Sequence, residues 1–323
     1  MKKKCFSALA LIASLALLTA CGGSSGGLDL TAKWHKNTGT TNNITGTYEK
    51  LDYKVTFAKS EKAKNFYLEY DEGTYTTTLS YATSPSIHYV YKTELNISGR
   101  FYLNGAAGET FTDHLETETE FYTVDRALKP IKSVTKVHAT CPIKAPYDKI
   151  SALKEGVAYS VYDFMSTTTY NEESSLATTV TEFYTTDEND EPKTTTQEKS
   201  VKVKKSSFFD NNEIFFAIRG FKMNSAATFY SINPQTNRVT GITMSKPAEI
   251  TWTYRGADIS AYRVTVQYNS SSSGPARTLV YAKASEDANN NEMRCVPLYI
   301  SSPVSFSHGS LVYRLENHTF GTN

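Results

Sequence analysis

Cysteine is scarce in this 323-residue chain, with four copies, and Cys5 and Cys21 both fall near the start. Cys141 and Cys295 remain for the folded part, which excludes a disulfide-dense scaffold. Two readings of that pair stay open. A disulfide would stabilise an exported chain by roughly 4–5 kcal/mol in the chain-entropy picture; the other reading is two separate buried thiols. An excess of one charge is also missing. The formal charge is +1, and removing residues 1–20 takes away three lysines and no acidic residue, leaving −2. Phosphate binding needs a concentrated basic surface, so nucleic acid is not expected as the main partner. Beyond residue 20, no stretch reaches the run of about 20 apolar residues that a spanning helix requires.

The marks of common active sites are thin as well. No Gly-rich phosphate cradle or dinucleotide fingerprint follows a strand. A Gly-x-Ser-x-Gly pattern occurs at Gly22 to Gly26, but in a linker, without the strand-turn-helix that a nucleophile elbow needs. The histidines His35, His88, His114, His138, His308 and His318 are scattered, with none paired at metal-ligand spacing. Asp187-Glu188-Asn189-Asp190-Glu191 lacks the glycine and distal glutamate of a calcium loop and reads as a hairpin tip. Glu116, Glu118 and Glu120 alternate along a strand and share one face, which a wet strand face explains without glycosidase chemistry. The expectation is a non-enzyme, with no catalytic residue, metal or cofactor assigned.

What the chain does have begins at its start. Lys2, Lys3 and Lys4 precede an apolar run from Phe6 to Leu18, and small Thr19 and Ala20 lead into Cys21. This is the layout of a secretory signal. Leu18-Thr19-Ala20-Cys21 resembles the lipobox of bacterial lipoproteins. That resemblance implies cleavage before Cys21, with palmitate-like acyl chains on its thiol and new amino group. Two or more chains give stable membrane attachment. Residues 22–27, all Gly and Ser, read as a flexible linker. The expected division is a signal peptide over 1–20, a lipidated linker over 21–27 and a β-rich extracytoplasmic domain over 28–323. Within it, 28–116 could form an N-terminal extension and 117–316 a half-barrel portion.

The body reads as mainly antiparallel β. There are 22 tyrosines and about 40 threonines, a composition suited to pleated, half-buried surfaces. Leu51, Tyr53, Val55 and Phe57 alternate with polar residues, as do Phe66, Leu68 and Tyr70, and Tyr262, Val264, Val266 and Tyr268. Period-two alternation of this kind gives one dry and one wet face. Turn signals fall at Asp71-Glu72-Gly73, Asn104-Gly105, Asn233-Pro234 and Ser273-Gly274-Pro275. The stretch Thr117 to Asp125 is echoed by Thr179 to Asp187, each followed by a proline, Pro130 or Pro192. Two equivalent hairpins are expected, whether by duplication or convergence.

One short helix is predicted near 211–219. Asp210-Asn211-Asn212 supplies capping oxygens, Ile214, Ala217, Ile218 and Phe221 follow helical spacing, and Gly220 stands where it would end. Phe208 to Phe221, with Phe121-Tyr122-Thr123-Val124-Asp125, Leu128 to Ile131 and Gly309 to Leu315, resembles a group of bacterial envelope proteins. That group is related in fold to the lipoprotein carriers LolA and LolB. The resemblance covers roughly Thr117 to Leu315 and implies an open, curved half-barrel around the helix. It carries no ligand residue onto this chain.

The functional expectation is therefore a membrane-anchored, non-catalytic lipoprotein of the cell envelope, in the outer membrane if the source is Gram-negative. Its partner is the membrane, through acyl chains on Cys21. An apolar small molecule or lipid held in the concavity is one expected ligand class. The alternative is a structural or protein-interaction lipoprotein.

Overall fold

The computed structural model describes residues 47–59, 66–84, 86, 88–103, 106–124, 127–139, 162–173, 175–186, 191–203, 208–221, 223–233, 238–269, 276–283, 295–304 and 309–322. The signal segment, Cys21, the linker and Cys141 lie outside them. Among the described residues, 17 strands join into one sheet. They are β1 (Thr47–Lys59), β2 (Phe66–Tyr70), β3 (Gly73–Ala82), β4 (His88–Leu103), β5 (Ala106–Val124) and β6 (Ala127–Ala139). Then follow β7 (Tyr162–Tyr170), β8 (Leu176–Thr186), β9 (Pro192–Lys202), β10 (Phe208–Asp210), β11 (Ala227–Asn233) and β12 (Arg238–Met244). The chain ends with β13 (Ala248–Tyr254), β14 (Ala257–Tyr268), β15 (Arg277–Ala282), β16 (Pro297–Pro303) and β17 (Gly309–Thr322).

From one edge, β9 pairs with β8, then β7, β6, β5 and β4 follow in turn. Next to β4 lie β3 and β2 end to end, and β3 leads to β1, then β17, β16, β15 and β14. The far side runs through β13 and β12 to β11 and β10. Every pair is antiparallel except β10 with β11. The strands of residues 47–103 thus sit inside the sheet, between β5 and β17.

A sheet this wide must curl, and its irregularities show where. Register shifts fall at Asp52/Tyr53, Arg100/Tyr102, Glu120/Phe121 and Val280/Tyr281, and each bulge bends its strand and increases twist. At the junction of β2 and β3 the backbones come very close. A Cβ on Gly73 would lie 2.5 Å from the Asn96 carbonyl, and one on Gly99 2.6 Å from that of Glu69. Only glycine fits such an approach.

Most turn signals act as hairpins. Leu103 faces Ala106, Asn233 faces Arg238 and Val266 faces Arg277. Asp71-Glu72-Gly73 is the exception: β2 and β3 pair side by side with β4, not with each other. Asp71 N–H donates to Ser98 O, continuing the ladder, so the signal marks a kink where two strands follow one another along β4. The tight turn sits instead at Arg255-Gly256, where both residues have positive φ (50° and 78°) between paired Tyr254 and Ala257. That is the twist a two-residue hairpin needs.

The echoed segments do form two hairpins, β5–β6 and β8–β9. They are not superposable in detail. Pro130 faces Phe121 inside the first ladder, whereas Pro192 opens the second opposite Thr186.

The inner face carries the apolar alternation. Leu51, Tyr53, Val55, Tyr89, Leu79 and Phe121 are buried there. The helical segment lies against this face: a 3-10 turn (Asn211–Glu213), one α turn (Ile214–Ala217) and a second 3-10 turn (Ile218–Gly220). It is buried nearly all round, so its apolar residues do not make a single stripe. Phe216 packs 5.2 Å from Tyr91 and 5.4 Å from Phe121, while Phe209, Phe221 and Phe229 meet one another edge-on or tilted. The segment ends as the chain turns extended at Phe221 (φ −72°, ψ 150°), without a left-handed glycine.

One face is not simply dry. Across β4 to β8 the inner surface carries buried hydroxyls: Thr93, Thr117, Thr119, Ser133, Thr135, Ser166, Thr168, Thr179 and Thr181. Cross-strand partners satisfy several of them. Thr93 and Thr117 hydroxyls stand 2.7 Å apart, Ser166 and Thr181 2.8 Å, and Thr168 and Thr179 2.9 Å. The run Thr117-Glu118-Thr119-Glu120 therefore points threonine inward and glutamate outward.

Candidate functional site

The helical segment is held at both ends by buried polar groups. At its start Asp210 caps the first turn by accepting from Asn212 N–H, and Glu213 Oε1 accepts from Asp210 N–H at 2.9 Å. Tyr170 O–H and, at 3.1 Å, Ser133 O–H donate to the Asp210 carboxylate. The Asn212 amide donates to the hydroxyls of Ser133 and Thr135 at 2.9 and 2.8 Å. This seam joins the inner face of β6 and β7 to β10, at the opposite end of the strand order. Apolar contact among Ala177, Val203, Phe208 and Ile232 runs alongside. Side chains, rather than a strand ladder, bring the two ends of the curled sheet together.

The seam concentrates acid in a dry place. Burial holds Asp210 above its ordinary value against the hydrogen bonds of Tyr170, Asn212 and Ser133. Burial, with Asp210's charge beside it, pushes Glu213 well above the carboxylate range. Two buried atoms there, Thr119 Oγ1 and Glu213 Oε2, have no hydrogen-bond partner among the described residues. Thr119 faces Ser133 directly across β5 and β6.

At the other end Arg219 makes a two-pronged pair with Glu49 on β1, at 2.7 and 2.8 Å, with side-chain exposures of 2% and 3%. Its guanidinium also lies 5.2 Å from the Phe216 ring centre. Tyr53, Tyr91 and Tyr281 surround the pair, and burial raises all three. Tyr281 O–H donates to Phe215 O, fixing β15 to the helical backbone.

The outer face is a different surface. Glu118 pairs with Lys92 at 2.7 Å, Glu116 with Lys136 at 3.1 Å, and Glu120 lies 3.5 Å from His88. The three glutamates share a face, as alternation predicts, and each meets a base on the next strand. A recess of about 480 Å³ on this side is lined by residues that include Thr76, Lys92, Glu94, Glu116, Glu118 and Lys136. The His114 and Lys136 hydrogen bonds hold Glu116 below its ordinary value.

The sequence-assigned residues fall as follows. Cys21 and Cys141 are outside the described residues, as are His35, His308 and Asp187 to Asp190. Cys295 is buried, with φ 53°, in electrostatic reach of Arg219 and Tyr281. Sequence reasoning named Asp210 as a cap and missed its network with Tyr170, Ser133, Asn212, Thr135 and Glu213, along with the Glu49–Arg219 pair. A charged residue inside an otherwise apolar helical run, Arg219, was the available signal.

No family model and no curated protein matches the chain. Among solved structures it is similar to a β-barrel-like protein of Domain of Unknown Function DUF1849 from Brucella abortus. The identity is 9% and the TM-score 0.48, over 86% of this chain and all of that one.

Proposed function

We propose that this protein is a lipid-anchored, non-catalytic component of a bacterial cell envelope that acts through its outer surface, as a structural or protein-interaction lipoprotein. The observation carrying this reading is that the chain's own helical segment and its aromatic neighbours occupy the concave face of the sheet. A carrier of acyl chains would need open space between that segment and the sheet, whereas Phe216 packs directly on Tyr91 and Phe121. Here Phe216, Ile218 and Phe221 fill it, and the segment is tied down by the Asp210 seam and the Glu49–Arg219 pair. Cys21 supplies the anchor, and the interior supplies rigidity.

Two measurements test the reading. Detergent-phase partitioning and intact mass of the membrane-extracted protein should show acylation that Cys21→Ser abolishes. An unmodified wild-type mass with wholly aqueous partitioning would remove the anchor. Native mass spectrometry of the extracted protein should find no stoichiometric lipid beyond the anchor; a bound lipid in unit ratio would put the carrier function in place of the structural one.

A further inference from the structure

The seam between β6, β7 and β10 buries two carboxyl groups on one short turn. Asp210 and Glu213 both have 0% exposure, and Glu213 Oε1 accepts from Asp210 N–H. Their partners are unequal. Tyr170 O–H, Ser133 O–H and Asn212 N–H all donate to the Asp210 carboxylate, a set of donors that suits an ionised group. Glu213 has its one donor on Oε1, and among the described residues its Oε2 has none. An ionised Glu213 would leave charge on a dry oxygen with no donor, beside a second carboxylate. The neutral acid avoids that cost.

The surrounding elements supply no base to either carboxyl. β6 brings Ser133 and Thr135 to the turn, β7 brings Tyr170, and the inner residues of β5 there are Thr119 and Phe121. β11 contributes Phe229, Ser231 and Ile232. From β14, Tyr268 O–H donates to Asn211, and the Arg277 guanidinium lies over the Tyr268 ring, 4.2 Å from its centre. The charge that acts on Glu213 is that of Asp210. We infer that the seam is a proton-operated clasp. With Glu213 neutral the two ends of the sheet stay joined; when Glu213 loses its proton, the turn that carries it parts from β6 and β7. Among the described residues β10 pairs only with β11, so opening breaks side-chain hydrogen bonds and the contact of Ala177, Val203, Phe208 and Ile232, and no strand ladder. Burial and the Asp210 charge hold Glu213 well above the carboxylate range, so the clasp is shut in acid and opens as pH rises through that raised value. This inference does not depend on the anchor or on the function proposed above.

The test is amide hydrogen exchange of the full-length protein in detergent, read by mass spectrometry from about pH 5 to 9 and corrected for the intrinsic rate. Such data separate local opening from global unfolding. Protection of residues 208–221 should fall about tenfold per pH unit above the folded Glu213 value, because each opening releases one proton. Protection across β3 and β4 should stay constant over the same range. Glu213→Gln should hold the 208–221 protection constant with pH, whereas Glu94→Gln, on the exposed outer face, should leave the wild-type fall intact. If Glu213→Gln does not fold, the wild-type profile decides alone. Protection of 208–221 that is flat with pH, or that falls in step with β3 and β4, overturns the clasp. So does a folded Glu213→Gln variant that keeps the fall.

Discussion

Removing one partner of the Glu49–Arg219 pair should destabilise the fold far more than removing both. The two side chains are almost fully buried and meet through two hydrogen bonds. Taking Arg219 away leaves a carboxylate stranded among Tyr53 and Tyr91, where it can be neither solvated nor paired. Breaking a buried pair in this way costs about 3–5 kcal/mol. Arg219→Met keeps much of the stem packing on Phe216, so the loss should come from the orphaned charge rather than a void. Glu49→Leu strands the guanidinium instead, with a similar cost. The double variant Glu49→Leu/Arg219→Met removes both desolvation penalties. Buried pairs replaced by apolar groups of similar volume are often neutral or more stable by 1–4 kcal/mol. Urea unfolding followed by far-UV circular dichroism gives all four free energies. The expected coupling exceeds about 3 kcal/mol. Single variants costing under about 1 kcal/mol, or a double variant equal to their sum, would refute a desolvated pair that locks the helical segment to β1.

The seam predicts a pH dependence of definite sign. Glu213 and Asp210 hold their protons more tightly folded than unfolded, so their contribution is complete below the unfolded carboxyl value, about 4.3 for glutamate. It is lost as pH rises through the folded value, at up to about 1.4 kcal/mol per pH unit for each carboxyl. Glu213→Gln mimics the protonated form and should flatten that slope in urea midpoints taken between pH 4.5 and 7.5; an unchanged slope would mean that Glu213 is ionised in the fold. In the hydroxyl band, Thr179→Val leaves buried Thr168 without its cross-strand partner and should cost about 1–3 kcal/mol. The double Thr168→Val/Thr179→Val should recover most of that loss, and a double worse than the single would refute the pairing.

The architecture was readable where residues repeat at a spacing of two. Leu51, Tyr53 and Val55 declare an inner face by alternation alone, and Asp210 with Ile214, Ala217 and Ile218 declares the one helical segment. Local signals failed where two strands share one neighbour. Asp71-Glu72-Gly73 has the composition of a turn, yet β4 is long enough to pair with the residues on both sides, so the chain kinks and continues. Polarity alone does not separate the two faces of the threonine-rich strands, because a hydroxyl satisfied across a strand pair can be buried while a carboxylate on the next residue cannot. The buried pair was out of reach for another reason. Glu49 and Arg219 are 170 positions apart, and no period connects them. The same is true of Ser133 with Asp210, separated by 77 positions. Such contacts follow from which strands become neighbours, which pattern and propensity do not specify.

The way the sheet ends bears on which surface a partner could read. At one edge, β9 is exposed along nearly its whole length and bears Pro192, Lys193, Lys199 and Lys202. Proline and lysine on an edge strand oppose the addition of another strand, so main-chain recognition there is disfavoured. The other edge, β10, is three residues long and buried beneath the seam. Large apolar side chains on the outside are few; among the described residues Leu176 and Tyr184 stand out, at 36% and 37% exposure. A broad greasy interface has little to build on. What remains is the outer face of β3 to β7, with its rows of glutamate, lysine and histidine around a shallow recess. Interactions formed by exposed charges of this kind are screened over about 8 Å at physiological ionic strength. A partner of the proposed lipoprotein would therefore be held by matched charge and hydrogen bonds rather than by burial.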